Sequence, residues 1–244
     1  MNNNSQIEGV SVQRELSKFI DRLDFLEDYR LPQRAYHIIR LAIRDLILEP
    51  GKTFLEREMS EILKMSRTPV REALVRLETE GLVRLIPRRG FIVSPIESED
   101  LKEIYRIVET LDGLAIEIAT NMVTDKDIDQ LEKIISKQEE VLQHGDYKRW
   151  AILDDQFHAL IINYANNKRL SAVIDSHSDQ TYRARLYTIN TRPIPLRSIV
   201  EHKGIIACMK AQDEKAARTI MESHRRRAQK EILLSLEEIK LNDK

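Results

Sequence analysis

Residues 51–93 read GKTFLEREMSEILKMSRTPVREALVRLETEGLVRLIPRRGFIV, and the changes of period along them decide the fold. Glu56–Leu63 and the stretch from about Thr68 to Thr79 repeat apolar residues at helical spacing, with only Lys64-Met65-Ser66-Arg67 between them. After Gly81 come two short β-type runs, Leu82–Ile86 and Phe91–Val93, joined by the tip Pro87-Arg88-Arg89-Gly90. Upstream, Pro32 opens a helix that runs to about Leu48, with Ile38, Leu41, Ala42, Ile43 and Leu46 as its buried stripe, and Pro50-Gly51 stops it. Three helices followed by a small hairpin is the order of a winged helix-turn-helix.

The charge of this block points the same way. Residues 51–93 carry nine basic side chains against six acidic ones, in a chain whose net charge is -1. The excess is small, so position carries the argument. Ser66, Arg67, Thr68 and Arg71 cluster at the turn and the start of the third helix, the end that enters the major groove. An arginine fork there can bond guanine N7 and O6 together, while hydroxyls and the helix N-terminus suit phosphate. Arg88, Arg89 and Gly90 sit at the wing tip, where glycine permits close backbone approach and arginine supplies charge. A lone arginine is usually a solvated surface side chain; the set, at these positions, reads as an interface. Arg76 is set apart because Glu72 and Glu80 are within pairing distance along one helix.

Outward from the block the chain is mostly helical. It has 244 residues, 42% apolar and 32% charged, with only 7 Gly and 7 Pro, which suits two domains and few breaks. Residues 1–31 are a polar leader followed by an amphipathic stretch (Val12, Leu16, Phe19, Ile20, Leu23), read as a helix packed on its own protein or on a partner subunit, with a disordered tail as the alternative. Residues 32–94 form the winged helix-turn-helix, a linker contains Pro95, and 98–239 form an all-α helical bundle. Its helices are expected at roughly 98–122, 125–143, 147–164, 168–189, 195–211 and 213–239. Cys208 is the only cysteine, so an intrachain disulfide and a thiolate metal cluster are excluded. With no apolar signal core at the start and no bilayer-spanning run, no membrane association and a cytoplasmic location are expected.

The block from Ser66-Arg67-Thr68-Pro69-Val70-Arg71-Glu72-Ala73-Leu74 to Glu80-Gly81-Leu82-Val83 resembles the signature of the GntR family of transcription regulators. Leu48-Glu49-Pro50-Gly51, Leu55-Glu56-Arg57-Glu58 and Arg88-Arg89-Gly90-Phe91-Ile92-Val93 extend the match to about sixty residues. The resemblance implies that Arg57, Arg67, Thr68 and Arg71 contact double-stranded DNA, with Arg89 and Gly90 at the wing, and that a homodimer reads a short palindromic operator.

The C-terminal half holds a second constellation. Asp154 and His158 are four apart on a helical stretch and share a face; His202 and His224 fall on the two later helices. Three imidazoles and a carboxylate from three helices suit Zn²⁺, Ni²⁺ or a similar divalent ion, with one or two positions left for water or a ligand oxygen. On spacing alone any one histidine is more often a surface or satisfied core residue. The pattern, with Glu201-His202-Lys203-Gly204-Ile205-Ile206, is similar to the FCD effector domain of the FadR subfamily, and six expected helices suggest its shorter, VanR-like branch. That similarity implies metal ligation by Asp154, His158, His202 and His224, with Zn²⁺ first and Ni²⁺ or Mn²⁺ as alternatives, and a small organic acid at the open positions. His37, His144 and His177 do not fit the pattern and are read as structural or surface residues.

One departure bears on the effector. Family members commonly carry an arginine in the pattern Tyr-x-x-Arg-x-x-x-Glu on the first helix of this domain; here Tyr105 is followed by Val108 and Asp112. A buried arginine there would clamp a carboxylate bidentately. Arg183, Arg185 and Arg197 are the candidates to replace it, unless the effector is less anionic. A ligand-responsive regulator, repressing by expectation, is therefore the leading reading. The alternatives are a metal-dependent enzyme acting through a metal-bound water, against which stand the absence of a paired general base and an idle winged helix, and a module that senses metal alone.

Overall fold

In the computed structural model, which describes residues 13–88 and 90–242, the chain divides between Ile96 and Glu97 into two units, each with its own core. In the first unit residues 13–20 are helical (α1), and a 3-10 turn, Asp24–Leu26, leads into α2 (Leu31–Arg44). Then follow β1 (Thr53–Phe54), α3 (Glu56–Leu63), α4 (Arg67–Thr79), β2 (Val83–Ile86) and β3 (Gly90–Val93). The strands form one antiparallel sheet in the order β1-β3-β2, with Thr53 opposite Ile92 and Leu85 opposite Phe91. Leu16 and Leu26 are buried in the same core as Ile38, Ile39, Ile43, Leu74 and Phe91, with Phe19, Ile20 and Leu23 packed against it. Each such burial is worth about 1.5–3 kcal/mol, so the N-terminal stretch is held on its own unit. Val12, the first residue of the expected stripe, lies outside the described residues.

Two features depart from expectation. Helix α2 stops at Arg44 rather than near Leu48, because Leu46 takes a left-handed conformation at φ 60. Leu46 N–H donates to Ile43 O at 3.2 Å and Ile47 N–H to Ala42 O at 2.9 Å, the bond pair of a Schellman ending. The reversal moves Leu46 out of the stripe and drops Leu48 into the core. The same ending at Lys64 (φ 53) makes the sharp turn between α3 and α4: Met65 N–H donates to Ser60 O at 3.0 Å. The other departure is β1, two residues long and too short to show a period; it adds a third strand to the expected hairpin.

The second unit is six helices among the described residues: α5 (Ser98–Thr120), α6 (Asp125–Gln143), α7 (Tyr147–Tyr164), α8 (Lys168–Tyr187), α9 (Leu196–Lys210) and α10 (Glu214–Asn242). Their starts are capped locally. Thr124 and Asp127 form a reciprocal capping box, Asp146 accepts from Arg149 N–H at 2.9 Å, and Asn167 accepts from Leu170 N–H at 3.1 Å. Helix α5 packs on α10, α8 and α7, and α6 packs on α7 and α9. This brings the inner faces of α7, α9 and α10, which carry the aspartate and the histidines, toward one point.

Candidate DNA-reading face and metal centre

In the first unit the candidate reading face is the exposed side of α4, away from the buried Val70, Ala73, Leu74 and Leu77. Ser66 is the exposed N-cap residue, and Arg67, Thr68 and Arg71 follow on the first turns, all exposed. A groove of ≈ 890 Å³ runs between this helix, the start of α3 and the wing, and its lining includes Arg57, Arg67, Arg71, Arg88 and Gly90. Thr68 lines an adjoining depression with Arg67 and Arg71. The fold thus gathers Arg57, Arg67, Arg71 and Gly90 around one groove with Thr68 at its edge, while Arg89 lies outside the described residues. Of the acids at this face, Glu78 accepts from Leu85 N–H at 2.7 Å, tying β2 to α4, and Glu61 lies 3.5 Å from Arg57, while Glu56 and Glu72 also line it.

Two residues acquire structural roles. Arg76 covers the Tyr36 ring at 3.6 Å and bonds Glu80 at 3.1 Å, while Tyr36 Oη also donates to Glu80. Gly90 has φ 92, and a Cβ there would lie 2.0 Å from the Phe54 carbonyl oxygen. Only glycine fits, because β1 and β3 meet at that point.

In the second unit Asp154 and His158 stand one turn apart on α7, His202 on α9 and His224 on α10. One ligand atom from each lies within 4.8 Å of all the others, and all four residues are buried. His202 Nδ1 is 3.2 Å from Gln138 Oε1, and His224 Nδ1 is 2.8 Å from Glu201 Oε2. An imidazole that donates through Nδ1 presents the Nε2 lone pair, so both rings turn Nε2 inward. His202 Nε2 lies 3.5 Å from Asp154 Oδ1, and Phe157 stacks on the His202 ring with centroids 4.2 Å apart. Asp154 Oδ1, His202 Nε2 and both His158 nitrogens are buried without a hydrogen-bond partner. Buried lone pairs left unmatched are costly, whereas inward-facing imidazoles braced from behind by carboxylate or amide oxygens are the usual surroundings of a metal ligand set. The donor set fits a divalent cation.

Among the expected effector arginines, the structure brings one to this centre. Arg185 Nη1 lies 2.6 Å from Asp154 Oδ2, with His158 Nε2 3.9 Å from the same oxygen, while Oδ1 is turned to His202. Arg183, two residues along α8 and so on another face, is buried with Asp179 as its charge neighbour; burial lowers it to about 10. Arg197 is 72% exposed and pairs with Glu201 at 3.3 Å. Val108 is buried, and Asp112 instead pairs with Arg225 of α10, Nε to Oδ2, at 2.6 Å. Sequence reasoning missed Arg225 and also Gln138, Glu201 and Arg227; the two signals were Glu201 next to His202 and Arg227 about one turn beyond His224.

The electrostatics keep the imidazoles neutral. Burial pushes His202 down to about 3, and burial likewise lowers His158 and His224. Burial works to raise Glu201, but bonds from His224 and Arg227 outweigh it and hold its carboxyl at about 2. An unfolded chain takes up protons on these histidines below about pH 6.5, where the folded chain does not. Stability of the metal-free protein is therefore complete above that pH and is lost as the pH falls from about 6.5 toward 3. Thermal melts of chelator-treated protein should show Tm falling from pH 7 to pH 5, with a flatter profile for His202→Gln. A Tm independent of pH over that interval would show that the imidazoles are not held neutral.

Comparison with known proteins adds an independent line. Residues 31–93 match the gntR family of bacterial regulatory proteins, and residues 103–227 match the FCD domain. The transcriptional regulator YdhC of Bacillus subtilis is 26% identical over 208 residues, 82% of this chain and 92% of that protein. The transcriptional repressor RspR of Escherichia coli K12 is 26% identical over 192 residues, 79% and 84% of the two chains. The solved structure of E. coli McbR/YncC superposes with a TM-score of 0.72 at 24% identity, covering 82% of this chain and 95% of that one. The likeness is one of fold.

Proposed function

The chain belongs to the GntR family of regulators and carries an FCD domain, and from that premise we propose that it is a metabolite-responsive repressor whose homodimer binds a palindromic operator and whose helical unit reads a small organic acid at a metal-containing pocket. That it is a DNA-binding transcription regulator and not an enzyme follows from the family and from its relatives. The metal-linked sensing rests on one observation: four ligand atoms from three helices converge within 4.8 Å at a buried point.

In this reading Asp154, His158, His202 and His224 hold the ion. A set of three nitrogens and one oxygen suits Zn²⁺ best, with Ni²⁺ and Mn²⁺ as alternatives. The ion would supply a Lewis-acidic point for an effector oxygen, while Arg185 and Glu201 keep its ligands aligned. Arg57, Ser66, Arg67, Thr68, Arg71 and Gly90 face the operator, and the family resemblance assigns Arg89 the same role. Repression is supported by the name of RspR. A dimer is supported by apolar side chains left exposed at seven-residue spacing, Ile107 and Leu114 on α5 and Leu234 and Leu241 on α10. No helix among the described residues is long and apolar enough to cross a membrane.

A genome-wide footprint of bound DNA tests the reading and yields the operator. Purified protein should then sediment as a dimer on a two-fold symmetric site, retain or take up zinc, and leave the DNA when a metabolite made or consumed by the products of the neighbouring genes is added. A monomer both free and on DNA defeats the dimer; protein that never takes up a divalent metal defeats the metal centre and leaves the winged helix untouched.

A further inference from the structure

Around the metal ligands the second unit buries polar groups that neither the metal nor the fold uses. Tyr105, on α5, is buried and its hydroxyl has no hydrogen-bond partner. Its charged neighbours are Arg185, Arg225, Arg192 and Asp154. Arg192, in the connection between α8 and α9, donates through Nη2 to the Arg185 carbonyl oxygen at 3.1 Å, while its Nε is buried with no partner. Arg185 meets Asp154 as an ion pair at 2.6 Å, but its Nη1 makes no aligned hydrogen bond. A buried N–H or O–H without an acceptor is costly. Here two donors from different elements, Tyr105 Oη and Arg192 Nε, lie beside a third underused one.

The charges around this spot decide what would satisfy it. Arg185, Arg192 and Arg225 face Asp112, Asp154 and the half-buried Asp155, a balanced set. The outer group of Arg197 and Arg227 with Glu201 and Glu231 is balanced too. A divalent ion on Asp154 and the three histidines would leave two positive charges uncompensated in a buried place, which is costly until an anion neutralises them. A monocarboxylate supplies one negative charge and a dianion supplies both.

We propose that the effector is a compact dianion with two separated acid groups, one directed to the metal centre and the other received by Arg192, Arg185 and the Tyr105 hydroxyl. This rests on the effector reading above and deepens it. It also accounts for Val108: the guanidinium that the family pattern would place on α5 arrives instead from the α8–α9 connection. Because Tyr105 is on the helix that directly follows the linker, closing on this second acid group engages the element joined to the DNA-binding unit.

The test is calorimetric titration of full-length, zinc-loaded protein with malonate, succinate and glutarate, compared with acetate and inorganic phosphate. At least one dicarboxylate should bind at least about tenfold more tightly than acetate, which is one charge-assisted hydrogen bond or more. Arg192→Gln should lose about tenfold or more for that dicarboxylate while acetate changes little, and Tyr105→Phe, which keeps the ring, should lose about threefold to tenfold. Acetate or phosphate binding as tightly as every dicarboxylate overturns the proposal, as does a dicarboxylate bound equally by the wild type and both variants. Elemental analysis of the same samples separates the two readings. Protein that takes up zinc yet does not prefer a dicarboxylate overturns this inference alone; protein that takes up none overturns the metal centre.

Discussion

Protein carrying His202→Ala and His224→Ala should lose the metal-dependent part of its stability and its response to effector together. The two rings come from α9 and α10, so an ion held by them and by Asp154 and His158 ties α7, α9 and α10 to one point. At a free zinc concentration about a thousand times the dissociation constant, binding to the folded state alone adds about 4 kcal/mol. For a unit of this size that is on the order of 10 °C in Tm, at about 2–4 °C per kcal/mol. The comparison is made within each protein, with zinc against without, so cavities left by the missing rings cancel. Wild type should gain the full shift and the double variant close to none. Coupling between an effector and DNA in regulators is typically about 1–3 kcal/mol, a change of roughly fivefold to 150-fold in operator affinity, and it should vanish in the variant. Zinc raising the Tm of both proteins equally would place the ion elsewhere.

Much of this centre was legible because its ligands obey helical spacing: Asp154 and His158 one turn apart, then one histidine on each of two later helices. Its bracing was not legible, and the reason lies in α10. Arg225, Arg226 and Arg227 are consecutive, yet one is buried against Asp112, the next is exposed beside Glu109, and the third holds Glu201 behind His224. Successive helical residues point about 100° apart, so each fate is set by the neighbouring helix, which no local pattern records. The same applies to Gln138, whose amide oxygen braces His202 from another helix. In the first unit the helices and the hairpin could be read from period, but the two-residue β1 and the end of α2 could not. A left-handed residue after a helix is usually glycine, and Leu46 looks like one more member of the buried stripe.

Arg71→Ala should weaken operator binding with little effect on folding. The side chain is exposed, on the opposite side of α4 from Val70, Ala73, Leu74 and Leu77, and lines the groove with Arg57, Arg67 and Gly90. Alanine and arginine are similarly good helix formers, so stability should stay within about 0.5 kcal/mol. Reading a guanine edge through a bidentate fork contributes about 1–3 kcal/mol of discrimination. The expected loss is therefore roughly fivefold to 150-fold at fixed salt, with preference relaxed at one base pair in each half-site. Arg57→Ala, read as a phosphate contact at the groove's other wall, should instead weaken all sequences alike and lower the salt slope by about 1. Arg76→Ala makes the contrast from within the same helix. Its guanidinium lies on Tyr36 and bonds Glu80, so that change should lower Tm while leaving sequence preference intact. Unchanged affinity and unchanged preference in Arg71→Ala would mean that this face of α4 does not enter the major groove.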